Sequence, residues 1–225
     1  MIKVENIETF GLYGAMRGMR NPLNSWDKAD TTVYQGHDKE FVNIGVNDLN
    51  LATRLIKAGT EHRKFLRMIH VQMDVTAPLY WWKEADTYKV GTTANSCSTM
   101  HKIAAKEFAL DDFSHDHLFN DAVVYSGYVS TSVLECVIGA LNEFRNLYLE
   151  TKDKRYWWQM IQLLPSSYNQ RRTWDMSMET LLSILHQRKN HKLDEWNEFR
   201  DVCLEQVPYL KEFYKASLKE ATNEN

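Results

Sequence analysis

From Met68 to Thr76 the chain alternates: Met68, His70, Gln72, Asp74 and Thr76 fall on one side, and Ile69, Val71, Met73 and Val75 on the other. A two-residue repeat belongs to a strand, because successive side chains point to opposite faces, and an apolar face opposite a polar one makes that strand half buried. Pro78 closes it, having no N–H to give to a ladder. Elsewhere the apolar spacing is helical. Asn47, a good N-cap, starts a helix through Leu49, Ala52, Leu55 and Ile56 that stops at Gly59. Leu79 to about Tyr88 reads as a short helix, made largely apolar by Trp81 and Trp82. Ser132 and Glu135 have the form of a capping box, and Val133, Leu134, Val137, Ile138, Leu141, Phe144 and Tyr148 mark the longest amphipathic helix. Further helices are expected over 156–164, 178–187 and 193–206, with Trp196, Phe199 and Cys203 facing inward, and a last one after Pro208. Ser166 to Trp174 reads as extended. Residues 1–46 are the least regular, with Ile2 to Ile7 as a short strand and Gly11 to Asp30 as loop. A few strands among many helices make the class α+β.

A chain of 225 residues buries roughly 70% of its unfolded surface, enough for one sizeable core, so a single domain over 1–225 is expected. No stretch is rich enough in Pro, Gly or Ser to be a linker. The longest apolar stretches, such as 133–141, are interrupted by Glu135 and fall short of the roughly 20 residues that span a bilayer, so no membrane partner is expected. The first residues show no basic region leading into an apolar run. Cys97, Cys136 and Cys203 form no C-x-x-C pair, and together these features suggest reduced thiols and a cytoplasmic protein. With 27 basic and 30 acidic side chains the net charge is −3, which disfavours a polynucleotide partner, whose phosphates demand a concentrated basic surface. A single nucleotide needs only two or three well-placed arginines. Seven Trp and eleven Tyr, including Trp81-Trp82 and Trp157-Trp158, are hard to bury in a monomer and point to a multimer.

The chain has no H-E-x-x-H, P-loop, G-x-G-x-x-G or G-x-S-x-G motif, which removes the zinc protease, P-loop and standard dinucleotide-fold readings. His115-Asp116-His117, beside Asp111 and Asp112, has the residue types of a metal site. Histidines two apart share a face only on a strand, however, and this segment reads as loop, so no metal is expected. Cys97 is a candidate nucleophile. Two polar-aromatic segments hold the remaining chemistry. Residues 81–101 enclose Gly91-Thr92-Thr93-Ala94-Asn95-Ser96-Cys97-Ser98-Thr99, a run of small hydroxyl and amide donors suited to a polar ligand. In residues 167–188, Arg171, Arg172 and Arg188 bracket a short helix.

On these two segments the sequence resembles the flavin-dependent thymidylate synthases, the ThyX family. Val75-Thr76-Ala77-Pro78 is similar to that family's strand ending in Ala-Pro, ahead of its signature Arg-His-Arg followed by seven residues and Ser. Counting on without gaps, Thr87-Tyr88-Lys89 fall on the triplet and Cys97 on the Ser, and counting back, His62 falls where the family has a histidine before its strand. Leu164-Pro165, Arg171, Trp174, Leu181, Leu185 and Arg188 match a family run of the same residues, again without gaps. Asn95 and Cys97 stand where the family has Glu and Ser, and Glu84 replaces a nucleotide-contacting Gln. The resemblance covers about 47–215, with 101–130 poorly matched.

The resemblance implies a helix-dominated α+β fold with a small antiparallel sheet, assembled as a homotetramer. It further implies transfer of a one-carbon unit from methylene-tetrahydrofolate to C5 of dUMP, with FAD carrying hydride from NADPH. In that reading His62, Tyr88 and Lys89 face FAD. Glu84, Thr87, Ser96, Arg171 and Arg188 bind the nucleotide, and Asn95 and Cys97 are the catalytic pair in the base pocket. With Thr87 and Tyr88 in the signature positions, a planar clamp for flavin phosphates is lost, so FAD is expected to be held weakly. Two alternatives stand beside this reading: a same-fold enzyme acting on another pyrimidine nucleotide, and a non-catalytic nucleotide-binding or assembly protein.

Overall fold

The computed structural model describes residues 2–36, 40–121, 123–125 and 127–218. In chain order its elements are β1 (Lys3–Phe10), α1 (Leu12–Gly18), β2 (Thr32–Gln35), β3 (Glu40–Asn43), α2 (Val46–Lys57), β4 (His70–Pro78), α3 (Leu79–Ala85), β5 (Thr92–Ser96), α4 (Thr99–Lys102), β6 (Val123–Tyr125), β7 (Tyr128–Val129), α5 (Ser130–Thr151), α6 (Lys154–Leu163), β8 (Asn169–Ser177), α7 (Met178–Gln187), α8 (Asp194–Gln206) and α9 (Leu210–Ser217). The main sheet has the order β1-β4-β8-β5, and β2-β3 and β6-β7 form two small antiparallel pairs. The protein is therefore helix-dominated α+β with a small antiparallel sheet. Its described residues cluster into two compact units: a first from within 4–74, 88–94 and 174–218, and a second from within 2–3, 75–87 and 95–173.

In the first unit the alternation of β4 is realised as written. Ile69, Val71 and Met73 are buried, while His70, Gln72 and Asp74 are not. Helix α2 buries Leu51, Ala52 and Ile56 and packs along α9, whose Phe213 meets Phe65 edge to face at 6.3 Å. Helix α8 turns Trp196, Phe199 and Cys203 inward as expected, and burial pushes the Cys203 thiol far above its ordinary range.

Two departures in this unit have a physical cause. Helix α2 starts at Val46, with Gly45 rather than Asn47 as its N-cap. The capping comes from the Asp30 carboxylate, which accepts the N–H groups of Asn47 at 2.8 Å and Asp48 at 2.9 Å. A Cβ at position 45 would collide with Asp30, so glycine belongs there. Residues 11–30, expected as loop, contain α1, whose Leu12, Ala15 and Met16 are buried at helical spacing. Three glycines between 11 and 18 weaken the local helical signal, and packing overrides it.

Beneath α2 lies an ion pair. Arg20 Nε donates to Asp48 Oδ1 at 2.5 Å, and the two side chains are 3% and 1% exposed. Asp48 Oδ2 accepts the Thr31 hydroxyl at 2.6 Å, the Thr31 N–H at 2.9 Å and the Asp30 N–H at 3.1 Å. Burial alone would raise the Asp48 pKa, but the hydrogen bonds from Thr31, Arg20 and the backbone outweigh it and hold the carboxyl below its usual value.

In the second unit α5 packs on α6 around Ile103, Phe108, Phe113, Leu134, Ile138, Leu141 and Met160. The Asn142 amide joins this core to the 108 segment, accepting the Phe108 N–H at 2.8 Å and donating to its carbonyl at 2.9 Å. Helix α5 begins at Ser130 after an N-cap at Val129, so Ser132 and Glu135 lie inside the helix and form no capping box. Helix α3 ends at Ala85, three residues before the expected limit. Trp81 and Trp82 are both buried, meeting edge to face at 4.9 Å. Among the described residues no helix is long and apolar enough to cross a membrane.

Candidate functional site

In the second unit, the segment following β5 is fixed to β8 from two directions. The Cys97 N–H donates to the Arg171 carbonyl at 3.0 Å, and Gln170 Nε2 donates to the Cys97 carbonyl at 2.7 Å. Gln170 is itself held. Its side-chain oxygen accepts Arg172 Nε at 2.9 Å, and its carbonyl accepts Trp82 Nε1 at 2.8 Å. Arg172 reaches Asp86 at 2.6 Å and lies 4.2 Å from the centre of the Trp82 ring, a cation–π contact. The two-residue repeat of β8 explains the division of labour: Gln170 and Arg172 share one face, while Asn169 and Arg171 take the other.

Cys97 and Arg171 line a cavity of about 360 Å³, together with Ser98, Thr99, Lys102, Tyr168 and Asn169. The Cys97 thiol and the Arg171 side chain are exposed. Lys106 pairs with Asp112 at the same cavity. Burial pushes the Tyr168 phenol above its ordinary pKa, with the charges of Asp112 and Cys97 adding to the effect. Asn169 Oδ1 is buried with no hydrogen-bond partner among the described residues. An N–H or O–H donor from a ligand would satisfy it.

The remaining candidates in this unit are simpler. The Thr87 hydroxyl donates to the Glu84 carbonyl at 2.7 Å, closing the end of α3. Asn95 and Ser96 are exposed on β5.

In the first unit, Arg188 Nε donates to the Tyr88 hydroxyl at 2.8 Å. Its guanidinium lies 4.8 Å from the centre of the Trp196 ring and 5.3 Å from that of Tyr88. Arg188 Nη1 is 3.1 Å from His191 Nε2. The turn carrying Tyr88 is tightened by the Thr92 hydroxyl, which donates to the Tyr88 carbonyl at 2.5 Å, and by Gly91 at φ +69°, a left-handed conformation suited to glycine. His62 and Lys89 have exposed side chains.

The structure thus pairs Cys97 with Arg171, Tyr88 with Arg188, and Glu84 with Thr87. Sequence reasoning missed Gln170, Asp86, Asn169 and Tyr168 as site residues and left Arg172 without a role. Treating 166–174 as a strand with two faces would have separated Arg172 from Arg171. His115, read with Asp116 and His117 as a metal-like cluster, has its Nδ1 at 2.8 Å from the Phe113 carbonyl.

No protein-family model matches the chain, and no curated protein matches it. Solved structures do. Thymidylate synthase X (ThyX) from Helicobacter pylori, with FAD and dUMP, is similar at a TM-score of 0.67 and 15% identity, over 97% of this chain and 100% of that one. A UMP/dUMP methylase, PolB, from Streptomyces cacaoi, bound with 5-Br UMP, is similar at a TM-score of 0.64 and 13% identity, over 96% of this chain and 93% of that one. What these likenesses establish is the fold, and it is a ThyX-like fold.

Proposed function

We propose that the protein is a pyrimidine-nucleotide methyltransferase of the flavin-dependent thymidylate synthase type, transferring a one-carbon unit from methylene-tetrahydrofolate to C5 of dUMP with NADPH as reductant. The observation that carries this reading is the cavity at Cys97 and Arg171 in a chain whose fold is that of proteins holding dUMP or 5-Br UMP. Arg171 offers a planar, permanently charged donor pair for the nucleotide phosphate. Asn169 Oδ1 offers the acceptor that a uracil N–H would meet. Asn95, Ser96 and Cys97 line the base and Glu84 and Thr87 border it, while Arg188 is a nucleotide-binding arginine on the strength of the ThyX resemblance alone. The assembly we propose is a homotetramer.

The residues for FAD are His62, Tyr88 and Lys89: one imidazole, one aromatic face and one ammonium. That donor set fits a flavin. It fits weakly, because the Thr87 hydroxyl is committed to the Glu84 carbonyl and brings no charge to the signature. Bound flavin supplies the hydride that completes reduction of the transferred carbon to a methyl group. The protein's own residues hold the nucleotide, orient its C5 edge and exclude water.

The purified 225-residue protein should carry little flavin after gel filtration. With added FAD, methylene-tetrahydrofolate and NADPH it should form a C5-methylated nucleotide. Absorption spectra and product analysis check both, and a protein that neither binds FAD nor alters dUMP or UMP rules the reading out. Preference for UMP over dUMP would favour the second reading, a same-fold enzyme with another pyrimidine substrate, which the methylase neighbour supports.

Replacing Arg171 or Arg188 with Ala should weaken dUMP binding by about 1.5–3 kcal/mol, the usual worth of a hydrogen bond to a charged group. Calorimetric titration measures this. Affinity unchanged in Arg171→Ala would remove that residue from the site.

A further inference from the structure

We infer that a basic pocket in the first unit, separate from every residue assigned above, binds a phosphate ester of a small molecule. On α2, Asn47, Asn50, Leu51 and Arg54 follow one another at intervals of three, one and three, so they share one helix face. That face and the 20–28 segment, with Arg20, Ser25 and Lys28, line a pocket of about 550 Å³.

Arg20 makes this more than a patch of surface cations. Its side chain is 3% exposed, with Nε committed to Asp48 and Nη1 to the Ser25 carbonyl at 3.1 Å. Its Nη2 is buried with no hydrogen-bond partner among the described residues. A guanidinium keeps its charge at all working pH values, so an unmatched donor on a buried one is costly unless an acceptor completes it.

The charges at the pocket decide the kind of acceptor. The Asp48 carboxylate is already engaged by Arg20, Thr31 and two backbone N–H groups, so the Arg20–Asp48 pair is neutral as a unit. Lys28 and Arg54 are exposed and form no ion pair among the described residues. Two unmatched positive charges, with the amide donors of Asn47 and Asn50, suit a phosphate dianion with several acceptor oxygens. Leu23 and Leu51 also line the pocket and give it an apolar part that a bare ion would not use, which favours an ester over inorganic phosphate.

The test is a titration of the uniformly ¹⁵N-labelled full chain, followed by amide NMR shifts at fixed ionic strength. The probes are inorganic phosphate and phenyl phosphate, with chloride as control. Saturable shifts at Ser25, Asn47, Asn50 and Arg54, absent with chloride and tighter for phenyl phosphate, are expected. Lys28→Ala with Arg54→Ala, both exposed positions, should raise the apparent Kd by about tenfold or more, since charge-assisted contacts are lost. Arg171→Ala should leave these shifts in place, so failure here is distinguishable from failure of the proposed nucleotide site. Shifts matched by chloride, shifts confined to 97–99, or unchanged affinity in the double variant would each overturn the assignment.

Discussion

Asp48→Ala is expected to lower stability by about 3–5 kcal/mol, because it leaves the buried Arg20 guanidinium without its counter-charge. The same substitution removes the acceptor for the Thr31 hydroxyl and for two backbone N–H groups, each of which becomes an unmet donor. Urea unfolding of the two proteins at neutral pH measures the difference. Its pH dependence has a definite sign. The folded-state pKa of Asp48 lies below its unfolded value near 3.8, so its contribution is fully present above that value and is lost as pH falls through the lowered folded pKa. The gap between wild type and Asp48→Ala should therefore stay constant from neutral pH down to about pH 5 and close in more acid solution. A gap under about 1 kcal/mol at neutral pH would mean that the pair's desolvation penalty cancels its attraction.

Trp82→Ala should be comparably severe, at about 3–5 kcal/mol, since it empties a large, almost fully buried volume. It also removes the ring under Arg172 and the N–H that satisfies the Gln170 carbonyl. Trp82→Phe separates these effects. It keeps an aromatic face for Arg172 but not the donor, and the hydrogen bond's share is about 1 kcal/mol of net stability. Because Gln170 holds the Cys97 carbonyl, both variants should also weaken dUMP binding at the proposed site, which titration at a temperature where each remains folded can read. A variant with wild-type affinity would show that the Trp82–Gln170 support does not reach the cavity.

Much of the fold was legible where one pattern dominated. The alternation before Pro78 is β4, and the apolar spacing of 178–187 and 193–206 gives α7 and α8 within one residue at each end. Legibility failed where a distant residue took over a local job. Asn47 is a good N-cap by type, but Asp30 reaches α2 from another segment and the N-cap lies two residues earlier, at Gly45. Ser130-Thr131-Ser132 offers three hydroxyls to a helix start, and the chain turns helical two residues before the box that Ser132 suggests. Of the candidates that the resemblance singled out, the Cys97 N–H donates to the Arg171 carbonyl and Arg188 donates to the Tyr88 hydroxyl. The supports beneath them, Gln170, Arg172 and Asp86, come from separate stretches of chain and carry no motif. Their roles follow from which face of β8 each occupies.

The capping of α2 by Asp30 bears on how the chain can be shortened. The segment ahead of residue 47 lies outside the stretch whose sequence resembles the ThyX family, although the structural likeness spans 97% of the chain, and on sequence alone it invites removal as an accessory. Yet it supplies Asp30 to the first turn of α2, and Arg20 and Thr31 to the Asp48 carboxylate. A truncated protein starting at Asn47 would keep every residue of the proposed nucleotide site, while its first helix lost its cap and a charge meant for a partner lay alone against the core. The minimal folding unit is thus longer than the minimal recognisable one.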